Sequence, residues 1–410
     1  MNEKQLILYA RLLLLRGVNL KENQDLLINA PITAQELVRA LTQEAYKTFK
    51  SGTVHVNWQD PMLSRLAYKH ASEEVLRDVP EYIAERYRNT LNRNAAFLTI
   101  SSSMPGLTKD LDNQRVKIAQ QAMGKRMREY QEQVVQKHKW TNAPYPSAHW
   151  ARALYPKKEA SDALMQLHED FITIMRLDEE NPIKAWTEHF NTLEKRRKKL
   201  NEYHFKRLIY RSKTCDMTIE LPEKHVWMAA AQKRGDDVFI SNFPSEELFT
   251  APLKTGVNGT LTLSKPLSLK GTVLKPFTLT FKYGEVVSVE GEHKEHVEKL
   301  LAMDKGASFL GEVALVPKES PINQLGTTYM HSLIDENAAS HFALGNAFPI
   351  TVKRSGAKNA EEVAQAHNIN RSSIHIDFMI GTDDLSVIGL TETGEEVDIF
   401  TNGTWSDTFA

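Results

Sequence analysis

The chain has a single cysteine, Cys215, in 410 residues. One thiol excludes an internal disulfide framework and suits a reducing, cytoplasmic setting. Charge of one sign is equally scarce. With 51 Lys and Arg against 52 Asp and Glu, the formal charge is -1, so there is no global electrostatic reason to expect a nucleic-acid partner. Nor is there a long hydrophobic run. The stretch 6–15 is broken by Arg11 and closed by Arg16; a spanning helix needs roughly 20 apolar residues, so this one reads as a buried helix. Glycine-rich phosphate loops are missing as well. Asn29, Ala30, Pro31, Ile32 and Thr33 stand where a dinucleotide-binding fold places its glycines, and the N-terminal domain is therefore assigned no cofactor.

With 41% hydrophobic and 25% charged residues, the chain fits a soluble globular protein of two or more domains with ample core. Strand patterns at 25–29, 53–58 and 95–101 alternate with helical patterns at 33–50 and 63–77. That order predicts an α/β N-terminal domain, residues 1–205, with a mainly parallel sheet. A long charged helix is expected over 110–139, an irregular proline-containing connection over 142–156, and further helices over 160–175 and 182–201. The basic run Lys195, Arg196, Arg197, Lys198 and Lys199 shares its surface with Glu194 and Glu202 and has no aromatic stacking set beside it. It reads as a solvated helix face. Beyond about residue 205, short alternating runs at 217–221, 261–263, 277–281 and 287–289 predict an α+β, antiparallel-strand-rich C-terminal domain, residues 206–410. A helix is expected over 293–303. Its His293, Lys294, Glu295 and His296 fit neither zinc-peptidase spacing. Residues 353–370 form a polar excursion, and 385–399 a closing hairpin turning at Thr393 and Gly394.

Candidate metal ligands fall within this second half. Asp335, Glu336, Asn337, Ala338, Ala339, Ser340 and His341 place two hard ligand types in seven residues. At helical spacing Glu336 and His341 point about 140° apart, which suits two ions better than one. The ordinary alternative is a helix start with acids in its first turn. In 374–380, Ile374, Ile376, Phe378 and Ile380 alternate with His375, Asp377 and Met379. On a strand, His375 and Asp377 then project from one side, about 6.6 to 7 Å apart along the chain, within reach of one ion or of two spaced roughly 3.5 to 4 Å apart. Glu312 sits alone in the apolar run 309–317, and such a carboxylate is costly to bury unless it is paired or ligates a metal. Glu246 and Glu247 follow Pro244 in a turn after the apolar strand Val238, Phe239 and Ile240; they supply a ligand or a general base, or are surface acids.

Four ordered segments carry a resemblance: Asn242 to Pro252, Gly311 to Pro317, Asp335 to His341, and His375 to Gly381. They resemble those of the thermophilic metallo-aminopeptidases, the aminopeptidase T, aminopeptidase S and PepS group. The resemblance implies a homodimeric exopeptidase that acts on short peptides with a free N-terminus and uses two divalent ions; the oxygen and imidazole donors suit Zn, Co, Mn or Mg. Glu247, Glu312, Glu336, His341, His375 and Asp377 match the family's metal positions, and Glu247 is also the choice for the catalytic proton shuttle. Which carboxylate bridges the ions is left open. Where that family carries Tyr a few residues after the His, this chain has Phe348; either another donor polarises the intermediate or the metals suffice. Two other classes fit the residues less fully: a two-metal hydrolase of another amide or ester, and a metal-stabilised binding protein.

Overall fold

A computed structural model of the protein describes residues 1–269, 272–353 and 359–410. The chain divides into two compact units, the first built mainly from Met1–Thr187 and Ala230–Pro244, the second from Glu188–Ala229, Ser245–Leu269 and Val273–Ala410.

The first unit holds strands β1 (Leu26–Pro31), β2 (Val54–Gln59), β3 (Ala96–Ser101) and β4 (Trp140–Pro144), in the order β2-β1-β3-β4. All three pairings are parallel. β1 is buried at every residue, the mark of a parallel strand covered on both faces. Leu27, Phe97, Leu91 and Val134 share one core, with Tyr87, Tyr130 and Trp140 packed against it.

Two expectations change here. The helix foreseen over 63–77 is two helices, Pro61–His70 and Glu73–Arg77. Ala71 is extended, and the Ser72 side chain accepts from the Val75 amide to start the second helix. The connection foreseen as irregular over 142–156 contains the end of β4 and the helix Ala148–Leu154, capped by Ser147. Prolines misled because β4 lies at the sheet's edge, where Pro144 forfeits no ladder bond.

The second unit contains an eight-stranded sheet, antiparallel throughout, that runs from Glu285–Glu290 at one edge through Val257–Thr262, Cys215–Glu220 and Arg207–Ser212 to Glu396–Thr401 and Thr404–Trp405 at the other. The closing hairpin joins Ser386–Leu390 to Glu396–Thr401. Of the polar excursion, residues 354–358 lie outside the described residues, and the helix Ala360–His367 follows with Asn359 as its cap. The basic run is more than a solvated face. Arg196 Nε donates to the Phe409 carbonyl at 2.8 Å, the Lys199 ammonium donates to the Thr408 carbonyl, and the Arg196 guanidinium lies 5.0 Å from the Trp405 ring centroid. Among the described residues no helix is long and apolar enough to cross a membrane.

Candidate metal centre

A second, four-stranded sheet of this unit collects the candidate ligands. Its strands are β5 (Leu248–Thr250), β6 (Leu310–Leu315), β7 (His341–Gly345) and β8 (His375–Met379), all antiparallel, in the order β8-β7-β6-β5. Register decides what meets. Ala343 lies opposite Asp377 on one side and Glu312 on the other, while Gly345 lies opposite His375. Directly paired residues share a sheet face and alternate residues return to it. Glu312, His341, His375 and Asp377 therefore stand on one face, with only the small Ala343 and Gly345 between them. The opposite face carries Val313, Phe342 and Phe378, all buried. Phe342 packs edge-on against Tyr210 with ring centroids 5.0 Å apart.

Glycine makes the close approach possible. A Cβ on Gly311 would lie 2.4 Å from the Asn346 carbonyl oxygen, and one on Gly345, at φ +103°, 2.2 Å from that of Ile374. Gly311 also sits at a register shift that aims Glu312 onto the ligand face.

Glu247 enters from the residue before β5, and the Glu246–Glu247 pair diverges. Glu246 Oε2 lies 3.2 Å from His189 Nε2, and the Glu246 amide donates to Asn337 Oδ1 at 2.6 Å. Glu247 Oε2 lies 3.3 Å from His341 Nε2. Glu312 Oε1 stands 3.6 Å from the same nitrogen, and Asp377 Oδ1 stands 3.3 Å from His375 Nε2. One ligand atom each from Glu247, Glu312 and His341 falls within 4.8 Å of the others, and the same holds for Glu312, His375 and Asp377. Glu312 belongs to both groups.

The premise of a helix through Glu336 and His341 is corrected. Glu336 lies in the 3-10 turn Glu336–Ala338, and His341 opens β7. Ser340 overrides the helical tendency of the alanines, because its hydroxyl is bonded to both the N–H and the C=O of Val316. Glu336 stands outside the two ligand triads but within their field. Burial, then the like charges of Asp377 and Glu247, push its carboxyl well above the ordinary range. Asp335 turns away and accepts the Tyr329 and His331 amides.

The histidines show how the cluster meets a cation. His341 Nδ1 lies 3.1 Å from the Ala339 carbonyl and His375 Nδ1 2.7 Å from that of Asn346. A carbonyl only accepts, so each Nδ1 carries a proton, and each Nε2 is left facing the carboxylates as the atom that takes up a second proton or a metal ion. His341 Nε2 is buried with no aligned hydrogen-bond partner. Burial lowers both imidazole pKa values, but Glu247 and Glu312 outweigh it at His341, which rises well above its usual value, and Asp377 outweighs it at His375, which rises to about 9. Burial raises the Glu312 carboxyl. A buried set rich in carboxylates draws positive charge to each Nε2, and oxygen and imidazole donors with a backbone-fixed tautomer fit a divalent metal.

Two features escaped the sequence reading. Asn337 ties the candidate ligand segment to Glu246 and anchors its own turn through Leu333; its only signal is a neutral amide between two acids and two alanines. Asp304 pins the approach to β8, accepting from the Gly306 and Ser373 amides and from both the Ser372 and Ser373 hydroxyls. The Ser373 hydroxyl first, then the amides, hold its carboxyl well below the ordinary range. Asp304→Ala is expected to cost roughly 1 kcal/mol, at the low end for several lost bonds because the group is near solvent. A carboxyl with a depressed folded pKa contributes fully above about pH 4 and loses that contribution as pH falls through the folded value. Urea melts at pH 7 and pH 3 should show the difference at the first and its shrinkage at the second.

Residues 2–405 match the family model of thermophilic metalloproteases (M29), and the chain belongs to that family. It is 37% identical over 402 residues to "Aminopeptidase AmpS" of Bacillus subtilis, covering 97% of each chain. It is 34% identical over 393 residues to "Aminopeptidase T" of Thermus aquaticus, covering 95% of each. The solved structure of wild-type AmpT from Thermus thermophilus superimposes with a TM-score of 0.91 at 32% identity, covering 98% of this chain and 99% of that one.

Proposed function

We propose that the protein is a co-catalytic metallo-aminopeptidase that releases N-terminal amino acids from short peptides through a water activated by two divalent ions. The observation that carries this reading is the pair of ligand triads sharing Glu312 on one sheet face. Glu247, Glu312 and His341 would hold one divalent ion and Glu312, His375 and Asp377 a second, Glu312 being common to both groups, with the Glu336 carboxyl beside them. Bound Zn, Co, Mn or Mg supplies Lewis acidity and lowers the pKa of a bound water from 15.7 toward about 7. The carboxylate-rich cluster attracts the free terminal ammonium of a peptide and so registers the first residue at the site. Glu247 would take the proton from the attacking water and return it to the leaving amine. Residues 1–205 and 206–410 would serve as N-terminal and catalytic domains of a cytoplasmic homodimer, except that 188–205 cluster with the catalytic unit and 230–244 with the first, and the location is in keeping with the single buried thiol.

A panel of aminoacyl-anilides and their N-acetyl equivalents, with and without chelator, tests the reading. Cleavage should be confined to free amines, vanish on chelation and return with a divalent ion. Equal cleavage of the acetylated set would point to a hydrolase of other amides. Full activity in protein shown by elemental analysis to be metal-free would sink the metal mechanism.

A further inference from the structure

Beside the ligands lies apolar surface that the chemistry of the centre does not use. Phe348 is 39% exposed, and Ile350, two residues on, is 47% exposed. The Phe348 ring lies against the His375 imidazole, centroids 4.7 Å apart, and against the half-buried Phe249 at 6.4 Å. Phe249 pairs with Ala314 in the sheet, and Ala314 pairs with His341, so Phe249 is on the ligand face. A row of rings thus runs from His375 through Phe348 to Phe249.

The row is firmly held. The Thr351 hydroxyl and amide both donate to the Phe348 carbonyl, at 2.6 and 3.0 Å, and the Val226 amide donates to the Thr351 carbonyl at 2.7 Å. On the other flank the Ala347 amide donates to Asn370, whose buried side chain donates to the Gly345 and Gly306 carbonyls. Exposed aromatic surface fixed next to a few convergent polar groups is how a small-ligand site divides its labour, with polar groups orienting and apolar walls selecting.

We propose that Phe348, backed by Ile350 and Phe249, receives the side chain of the substrate's N-terminal residue and selects apolar and aromatic residues over glycine and glutamate. The proposal rests on the aminopeptidase reading. An amine held at the carboxylate cluster leaves its α-substituent one carbon away, and the ring touching His375 is the apolar surface adjoining that position. Glycine gains nothing there. Glutamate brings a charge against an aromatic ring that cannot hydrogen-bond it and toward carboxylates of its own sign.

The test uses the metal-loaded full-length protein with Phe348→Ser and Phe348→Leu. Measured first is the ratio of kcat/KM for leucine anilide to that for glycine anilide; second, by calorimetry, the Kd ratio of leucinamide to glycinamide; third, metal content. Phe348→Ser should compress both ratios about 10-fold and Phe348→Leu should keep them near wild type, the scale of losing hydrophobic contact in a pocket. Unchanged ratios would overturn the proposal. So would unchanged ratios accompanied by metal loss, since Phe348 then only props His375, or by a change in oligomeric state on light scattering, since a second copy of the chain then covers the ring. A wild type that hydrolyses no anilide yet binds leucinamide more tightly in a Phe348-dependent way would defeat the aminopeptidase reading and leave the apolar subsite standing.

Discussion

Glu312→Gln is expected to lower kcat/KM by about 10³-fold or more and to reduce bound metal at both positions. The size follows from the several kcal/mol of transition-state stabilisation that metal ions supply, and the double loss from the membership of Glu312 in both ligand groups. Among the described residues no other carboxylate belongs to both groups. The same substitution should raise the melting temperature of metal-free protein, because it removes one of several like charges clustered out of water. Adding a divalent ion should then raise the wild-type melting temperature strongly and the variant's hardly at all, by linkage of binding to folding. Elemental analysis beside thermal melts with and without ions checks each part. A variant holding two equivalents of metal at near wild-type rate would remove Glu312 from its shared role in both groups.

Glu247→Gln should behave differently. The amide keeps the shape and one coordinating oxygen but cannot take up a proton, so kcat is expected to fall by roughly 10² to 10⁴ while metal content stays near wild type. Glu246→Gln is the internal control. Its side chain addresses His189 and its amide Asn337, so it should change stability more than turnover. If Glu247→Gln loses about one equivalent of metal, the residue is mainly a ligand and the base lies elsewhere. Wild-type metal content together with wild-type kcat would remove Glu247 from the chemistry.

The ligand candidates were legible because each breaks a local pattern. Glu312 interrupts an apolar strand, His375 and Asp377 recur at period two, and Glu247 follows a proline turn. Those signals are short-range, and strand geometry turns them into a shared face. What stayed hidden depends on distant partners. Nothing near Glu336 reveals that Ser340 is bonded to Val316 and ends the helical path. The Lys195–Lys199 run conceals its hold on the chain terminus because that partner lies over 200 residues away. The alternation in β8 located its two faces but not their burial, which follows position along the strand: Phe378 and Met379, on opposite faces, are buried, while His375, Ile376 and Asp377 are partly exposed. In the first half, prolines near 144 looked like loop punctuation until the edge position of β4 was known.

Both candidate ligand imidazoles are oriented by main-chain carbonyls, His341 by Ala339 and His375 by Asn346. Where a carboxylate side chain does that work, a point mutation can release the ring and shift its tautomer. Here no codon encodes the orienting atom. Drift at positions 339 and 346 can change what those residues display without touching the oxygen that each ring nitrogen meets, so the readiness of these histidines for metal is inherited with the path of the backbone and is lost only when that path is bent.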